Sequence, residues 1–340
     1  MSEPEGALKS LIQWAEPFGS LSPANADQLA AWSALAREAY PQNTLRAWRA
    51  DWALYKEWAE RVGCQHLPAA PESIAAFVTE NAQRKKPASI RRYLATIARA
   101  HRAAGLGNPC ASEPVKLALK ALTKTQSVRQ RQARALGWTE IKKFIETAGE
   151  GIRADRERAL LCVAYDSMAR RSELVALDVE DLEFLSDGTG RALIRRSKTD
   201  PAGEGAVAYL APETVRHLRR WLEGAAVEEG AVFRRLIGRH RVGERLHADQ
   251  ISDIYKRVGR WIGLPAGDVE RVSGHSIRVG ATQDLLALNI DLASVMQAGR
   301  WKSAAMPMRY GEQVLAARGG MARAAVLQHR GRTEDRFNVA

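Results

Sequence analysis

A chain of 340 residues is long for a single hydrophobic core and predicts two domains. Apolar residues make up 46% and charged residues 26%, which predicts a globular chain, and no apolar run reaches the ~18 residues of a membrane span. The net charge of +12 argues for a polyanionic partner, while Cys64, Cys110 and Cys162 lie too far apart for a disulfide framework or a zinc ribbon and suit a reducing cytoplasm.

The opening MSEPEGALKSLIQWAEP has acids and no basic stretch ahead of an apolar one, so it does not read as a secretory signal, and residues 1–20 read as a poorly ordered tail or a loosely docked helix. From 21 to 124 the spacing predicts four or five short helices. SPANADQLAAWSALAREAY carries apolar residues at helical intervals. NTLRAWRADWALYKEWAERVG repeats Trp and Leu at three- and four-residue steps, with Asn43 or Thr44 as its expected cap and Gly63 as its stop. APESIAAFVTENAQ opens on Pro71 at a first helical position, and KPASIRRYLATIARAHRAAGLG and SEPVKLALKALTKT follow.

The segment TQSVRQRQARALG, 125–137, has no apolar stripe and reads either as an extended basic linker or as the frayed end of the preceding helix. Residues 138–340 are then a second domain. Two helical stretches, TEIKKFIETAGE and ADRERALLCVAYDSMA, precede three strand-like patches in VALDVEDLEFL, RALIRRSKT and AVAYLAP; after Pro212 the chain is predicted to be helical again. The fold class is therefore mainly α with a small antiparallel sheet in the C-terminal domain.

Charge is concentrated. Between Arg84 and Lys143 there are 15 Lys or Arg against two acids, Glu113 and Glu140, so this segment carries the whole excess and the remainder is close to neutral. A solvated face would have the same composition, but charges spread through helical periodicity favour a surface for a polyanion.

Several residues invite a chemical reading, and each also has a plain one. Arg170 and Glu173, three apart, fit a surface ion pair or a carboxylate that orients a guanidinium. His275 and Arg278 repeat that spacing where a core histidine would be ordinary. Lys198 sits where a strand runs into a turn. Trp301 and Tyr310, nine apart, fit a helix core as well as a site.

Taken in order, the set is specific. Arg-x-x-Glu, a strand-end Lys, Gly-His-x-x-Arg in SGHSIRVGA, Gly-x-Trp in VMQAGRW and a Tyr nine residues later resemble the tyrosine recombinases, the phage integrase family. The resemblance runs from about residue 24 to about 330; it is carried by these motifs in the second domain and by helix pattern and charge in the first. It implies a two-domain DNA clamp with a SAM-like helical core-binding domain over 21–124, a basic linker over 125–137 and a catalytic domain over 138–340.

It also implies site-specific recombination without metal, other cofactor or ATP, through a 3′-phosphotyrosine and a Holliday junction. Tyr310 would be the nucleophile, Arg170 and Arg278 the phosphate clamp, and Lys198 the general acid. His275 would bond the phosphate and could take the tyrosine proton, Glu173 would orient the pocket, and Trp301 would stand where many relatives have His and donate its indole N–H. Arginine suits this task because its fork stays protonated and donates paired hydrogen bonds to phosphate oxygens. Near the nucleophile, Pro307 predicts a short separate helix, and Gly319-Gly320 a hinge before an exchange helix over about 321–330.

The implied partners are duplex DNA with an inverted-repeat site, a second copy as a dimer on one site, and a tetramer joined by helix exchange in the cytoplasm, at the nucleoid, with no membrane. For DNA contact the resemblance points to Arg46, Ser89, Arg91 and Arg92 in the first domain and to Lys256 and Arg257 in the second. Asp249 and Gln250 stand where the resembled pattern has a base-reading arginine, which implies a different target sequence.

Overall fold

The computed structural model describes residues 21–127, 129, 131–196, 200, 203–238 and 241–330, so the expectation for the tail over 1–20 falls outside the described residues. The chain divides into two compact units, Met1–Arg131 and Gln132–Ala340.

The first unit is helical among its described residues: α1 Pro23–Ala39, α2 Gln42–Arg61, α3 Pro71–Asn81, α4 Pro87–Ala103 and α5 Glu113–Thr125. Proline opens α1, α3 and α4, where its missing N–H costs no helical bond. The α2 cap differs from expectation. Asn43 and Thr44 lie inside the first turn, Pro41 takes the cap position, and the Asn43 side chain instead accepts from Arg46 Nη1 at 3.1 Å. Gly63 and Gly105 follow α2 and α4 in the left-handed region, at φ of 70° each, where glycine carries no steric penalty. Trp52, Tyr55 and Trp58 of α2 meet Phe77 of α3 and Tyr93, Leu94 and Ile97 of α4 in one core. Tyr55 and Trp58 both meet Phe77 edge-on with ring centroids 5.2 Å apart, a favoured aromatic geometry.

The second unit is built on a buried central helix, α7 Ile152–Ser167, preceded by α6 Trp138–Thr147 and followed by α8 Arg171–Ala176. The charged run of α7, Asp155, Arg156, Glu157 and Arg158, is buried throughout. Burial is tolerable because each is paired. Arg220 Nε lies 2.8 Å from Asp155, Arg257 Nη2 lies 2.5 Å from Glu157, Arg156 Nη1 donates to the Arg234 carbonyl at 3.1 Å, and Arg158 donates to the carbonyls of Ile145 and Ala148.

Three strands follow: β1 Leu182–Phe184, β2 Gly190–Ile194 and β3 Ala206–Leu210, antiparallel in that order, with Leu182 opposite Ala192 and Ile194 opposite Ala206. Ala192, Ile194, Ala208 and Leu210 face the core against α7 and α9 Pro212–Gly224. The sequence reading of this region is incomplete. A second antiparallel hairpin, β4 Arg234–Ile237 with β5 Arg241–Arg245, interrupts the helices predicted after Pro212. It is short, bulged and arginine-rich, so neither period nor composition announces it. The mainly helical fold with small antiparallel sheets stands, with two sheets instead of one among the described residues. The chain then continues through α10 Gln250–Trp261, α11 Ala266–Arg271, α12 Ser276–Ala287, α13 Leu292–Gly299, α14 Ala305–Tyr310, α15 Glu312–Arg318 and α16 Gly320–Leu327.

Candidate active site

The site forms where two chain breaks meet one helix. At the end of α7, Met168 adopts a left-handed backbone, at φ 47°, which turns the chain sharply before Arg170. Arg170 then caps α8. Its backbone N–H donates to Glu173 Oε2 at 3.0 Å and its Nη1 to Glu173 Oε1 at 2.6 Å, so the three-residue spacing becomes a two-point grip on one carboxylate.

From α12, Arg278 reaches into the same place and is only 3% exposed. Its Nη1 donates to the Met168 carbonyl and its Nη2 to the Gly299 carbonyl. The guanidinium lies over the Trp301 ring, 4.3 Å from the centroid, within cation–π range. The Trp301 and Tyr310 rings are 6.0 Å apart at 67°. Gly299 makes room for the Trp301 ring, because a Cβ there would fall 2.0 Å from it. Five predicted residues, Arg170, Glu173, Arg278, Trp301 and Tyr310, are therefore brought together. His275 caps α12 one turn before Arg278 and is exposed. Lys198 lies outside the described residues.

One member of the cluster was passed over in the sequence. Arg300 has a left-handed backbone, at φ 54°, unusual for a residue with a side chain. Its Nη2 donates to Glu173 Oε2 at 2.9 Å and its Nη1 to the Ser167 carbonyl at 2.8 Å. Glu173 thus binds two arginines. Burial alone would raise its carboxyl, but the Arg170 hydrogen bonds and the Arg300 and Arg170 charges bring it below the ordinary carboxylate range. Burial, reinforced by repulsion from Arg170 and Arg300, lowers Arg278 to about 10. At neutral pH Arg278 is still protonated, so three cations surround a single carboxylate. The cluster carries a net positive charge, and guanidinium donors are of the kind that bind phosphate oxygens.

The sequence pattern of the Phage integrase family matches residues 134–314. An integrase/recombinase xerD homolog of Selenomonas ruminantium is 31% identical over 284 residues, 80% of this chain and 82% of that protein. The chain belongs to the phage integrase family. Its activity class is site-specific DNA recombination. Recombinase cre of Escherichia phage P1 is a more distant homologue, 24% identical over 304 residues, covering 84% of this chain and 89% of that one; the motifs SGHSIRVGA and VMQAGRW and the interval from Trp301 to Tyr310 resemble it. The fold is shared with the Tn1549 transposon integrase, solved in complex with transposon right end DNA, at a TM-score of 0.60 and 13% identity over 89% of this chain and 98% of that one.

The six positions singled out for DNA contact in this family member differ in availability. Arg46 on α2 and Arg91 on α4 are exposed, and Ser89 is half-buried in the first turn of α4. Arg92 is tied down, its Nη2 2.7 Å from the buried carboxylate of Asp51. On α10, Lys256 is half-buried, and Arg257 is the partner of buried Glu157. Withdrawing Arg92 would leave Asp51 with only Thr96 Oγ1, at 3.4 Å, and withdrawing Arg257 would leave Glu157 with Arg156 Nη2, at 3.5 Å, so both arginines serve a buried carboxylate in the fold. At the start of α10, Asp249 Oδ1 pairs with Arg171 Nη1 at 2.9 Å, and Gln250 accepts from the His247 N–H at 3.1 Å.

Proposed function

We propose that this protein cleaves and rejoins DNA strands through Tyr310. The phenol oxygen attacks the phosphorus, the bond to the 5′ oxygen breaks, and the strand is left attached as a 3′-phosphotyrosine. Lys198 protonates the leaving oxygen, and His275 takes the tyrosine proton. Arg170 and Arg278 hold the non-bridging oxygens as negative charge grows on them, with the Trp301 indole N–H as a further donor. At ~4 Å and an effective dielectric of ~20, each such charge pair contributes roughly 4 kcal/mol before desolvation, enough for arginines to do what metal ions do in other phosphoryl transfers. The covalent intermediate conserves the phosphodiester's bond energy, so a different 5′-hydroxyl can be joined without ATP.

The observation that carries this reading is that Arg278 lies over the Trp301 ring, which meets the Tyr310 ring, with Arg170 held close to Arg278 by its grip on Glu173. The test is incubation with a nicked cognate duplex, which lets the cleaved 5′ strand diffuse away. The wild-type chain should accumulate a covalent adduct and Tyr310→Phe none. An adduct that survives that substitution would reject Tyr310 as nucleophile.

We further infer assembly as a dimer on an inverted-repeat site and as a tetramer that passes through a Holliday junction. Support comes from α16, in which no residue is buried and Met321, Val326 and Leu327 are 74, 76 and 80% exposed. Apolar residues held on a helix without intramolecular cover favour docking on a second copy. A relaxing topoisomerase with the same chemistry needs no such helix. Deleting residues 320–340 is therefore expected to leave adduct formation on the nicked duplex within about 3-fold of wild type while abolishing paired-site complexes in a gel-shift assay. Full synapsis by the truncated chain would reject α16 as the contact between copies, whereas the absence of paired-site complexes from the intact chain would favour the topoisomerase.

A further inference from the structure

The carbonyl of Tyr310 receives two side-chain amides. Gln283 Nε2 donates to it at 2.9 Å and Gln132 Nε2 at 3.1 Å. The two donors come from different parts of the second unit. Gln283 lies on α12, five residues after Arg278, so the helix that aims the phosphate clamp also grips the backbone of the nucleophile. Gln132 is the first residue of the unit, in the stretch that arrives from the basic linker.

That stretch is fastened along its length. The Arg134 N–H donates to the Arg271 carbonyl at 3.1 Å, and its guanidinium meets Asp268 at 3.2 Å and Glu140 at 3.0 Å. The Leu136 N–H donates to the Ser276 carbonyl at 3.0 Å, and the Trp138 N–H to Asp284 Oδ2 at 2.7 Å. Residues 132–138 are thus a strap tied to α11 and α12, with Gln132 at its free end. A carbonyl oxygen has two lone pairs, and two donors from separate elements restrain its position more than either alone.

We propose that Gln132 and Gln283 are positioning residues that set the placement of Tyr310 through its backbone, and that the strap couples the linker to the nucleophile. The proposal rests on Tyr310 being the nucleophile. Tyr310 ends the six-residue helix α14, flanked by Gly311, so the local chain has little stiffness of its own. An external hold on its carbonyl is the direct way to keep the phenol within attacking distance, and an ångström of misplacement is worth about 100-fold in rate.

The test is single-turnover adduct formation on the nicked duplex by Gln132→Met, Gln283→Met and the double variant, alongside wild type and Tyr310→Phe. Methionine keeps the length of the side chain and removes the N–H donors. Each single variant is expected to cleave roughly 10-fold more slowly and the double about 100-fold, with DNA affinity within about 2-fold of wild type. A second substrate carries sulfur in place of the 5′ leaving oxygen. A thiolate leaves without a proton, so a defect in the general acid is rescued by it, whereas a misplaced nucleophile is not; the Gln variants should remain slow. Cleavage within 2-fold of wild type, rescue by the sulfur substrate, or a loss explained by weaker DNA binding would each overturn the proposal while leaving the nucleophile assigned. No adduct from wild type, or an adduct from Tyr310→Phe, would instead overturn the underlying reading. If Gln283→Met does not fold, Gln132→Met, on the strap and outside any helix, decides the matter.

Discussion

Glu173→Gln is expected to slow adduct formation by about 100-fold or more and to destabilise the second unit by about 3–5 kcal/mol at pH 7. The carboxylate is 5% exposed and binds Arg170 at 2.6 Å and Arg300 at 2.9 Å, with Arg278 close enough to feel both cations. An amide keeps the shape but carries no charge, so three guanidiniums would repel one another in a buried place. The rate falls because Arg170 owes its direction to Glu173.

The effect has a signature in pH. The Glu173 carboxyl is held below its ordinary value in the folded chain, while in the unfolded chain it titrates near ~4.3. Stability from this group is therefore complete above about pH 4.3 and is lost as pH falls through the lower folded value. Wild type and Glu173→Gln should differ most near neutrality and converge in acid when unfolding midpoints are compared by pH. A gap that stays constant down to pH 3 would show that the charge is not the source of the stabilisation.

What the sequence disclosed and what it hid follow from distance along the chain. Arg170 with Glu173, and Gly299 with Trp301, are local pairs, so spacing alone carries their geometry. Helix ends were legible for the same reason: Pro71 opens α3, and Gly63 and Gly105 follow α2 and α4. Arg300 escaped because its partner is 127 residues away and nothing nearby marks the contact. The resemblance names Arg257 for DNA contact, and the sequence does not show that it also pairs with buried Glu157, 100 residues earlier in the chain. Gln132 was hidden in a segment whose composition says only basic and extended. A residue whose role is fixed by a backbone carbonyl 178 positions away leaves no periodic trace.

The strap leads to the last expectation, in which a common rule changes sign. Replacing a glycine inside a helix by alanine ordinarily stabilises by about 1 kcal/mol. At Gly280, in the middle of α12, the added Cβ would lie 2.1 Å from the Leu136 carbonyl oxygen, 2.3 Å from its carbon and 2.6 Å from the Gly137 nitrogen. These are backbone atoms and cannot rotate aside; either the strap lifts or α12 shifts. Lifting breaks the Leu136 bond to the Ser276 carbonyl and exposes Leu136, which is 1% exposed. Shifting α12 moves Arg278. Gly280→Ala is therefore expected to destabilise by about 3 kcal/mol, at the upper end for overpacking, and to speed hydrogen exchange at the Leu136 amide. Gly267→Ala is the control, since a Cβ on that helical glycine meets nothing within 4 Å and should be neutral or mildly stabilising. With the strap lifted, Gln132 loses its hold on Tyr310, so Gly280→Ala should also slow adduct formation even where the fold persists. Equal unfolding midpoints for the two alanine variants, with the Leu136 amide still protected, would mean that the strap does not lie against α12.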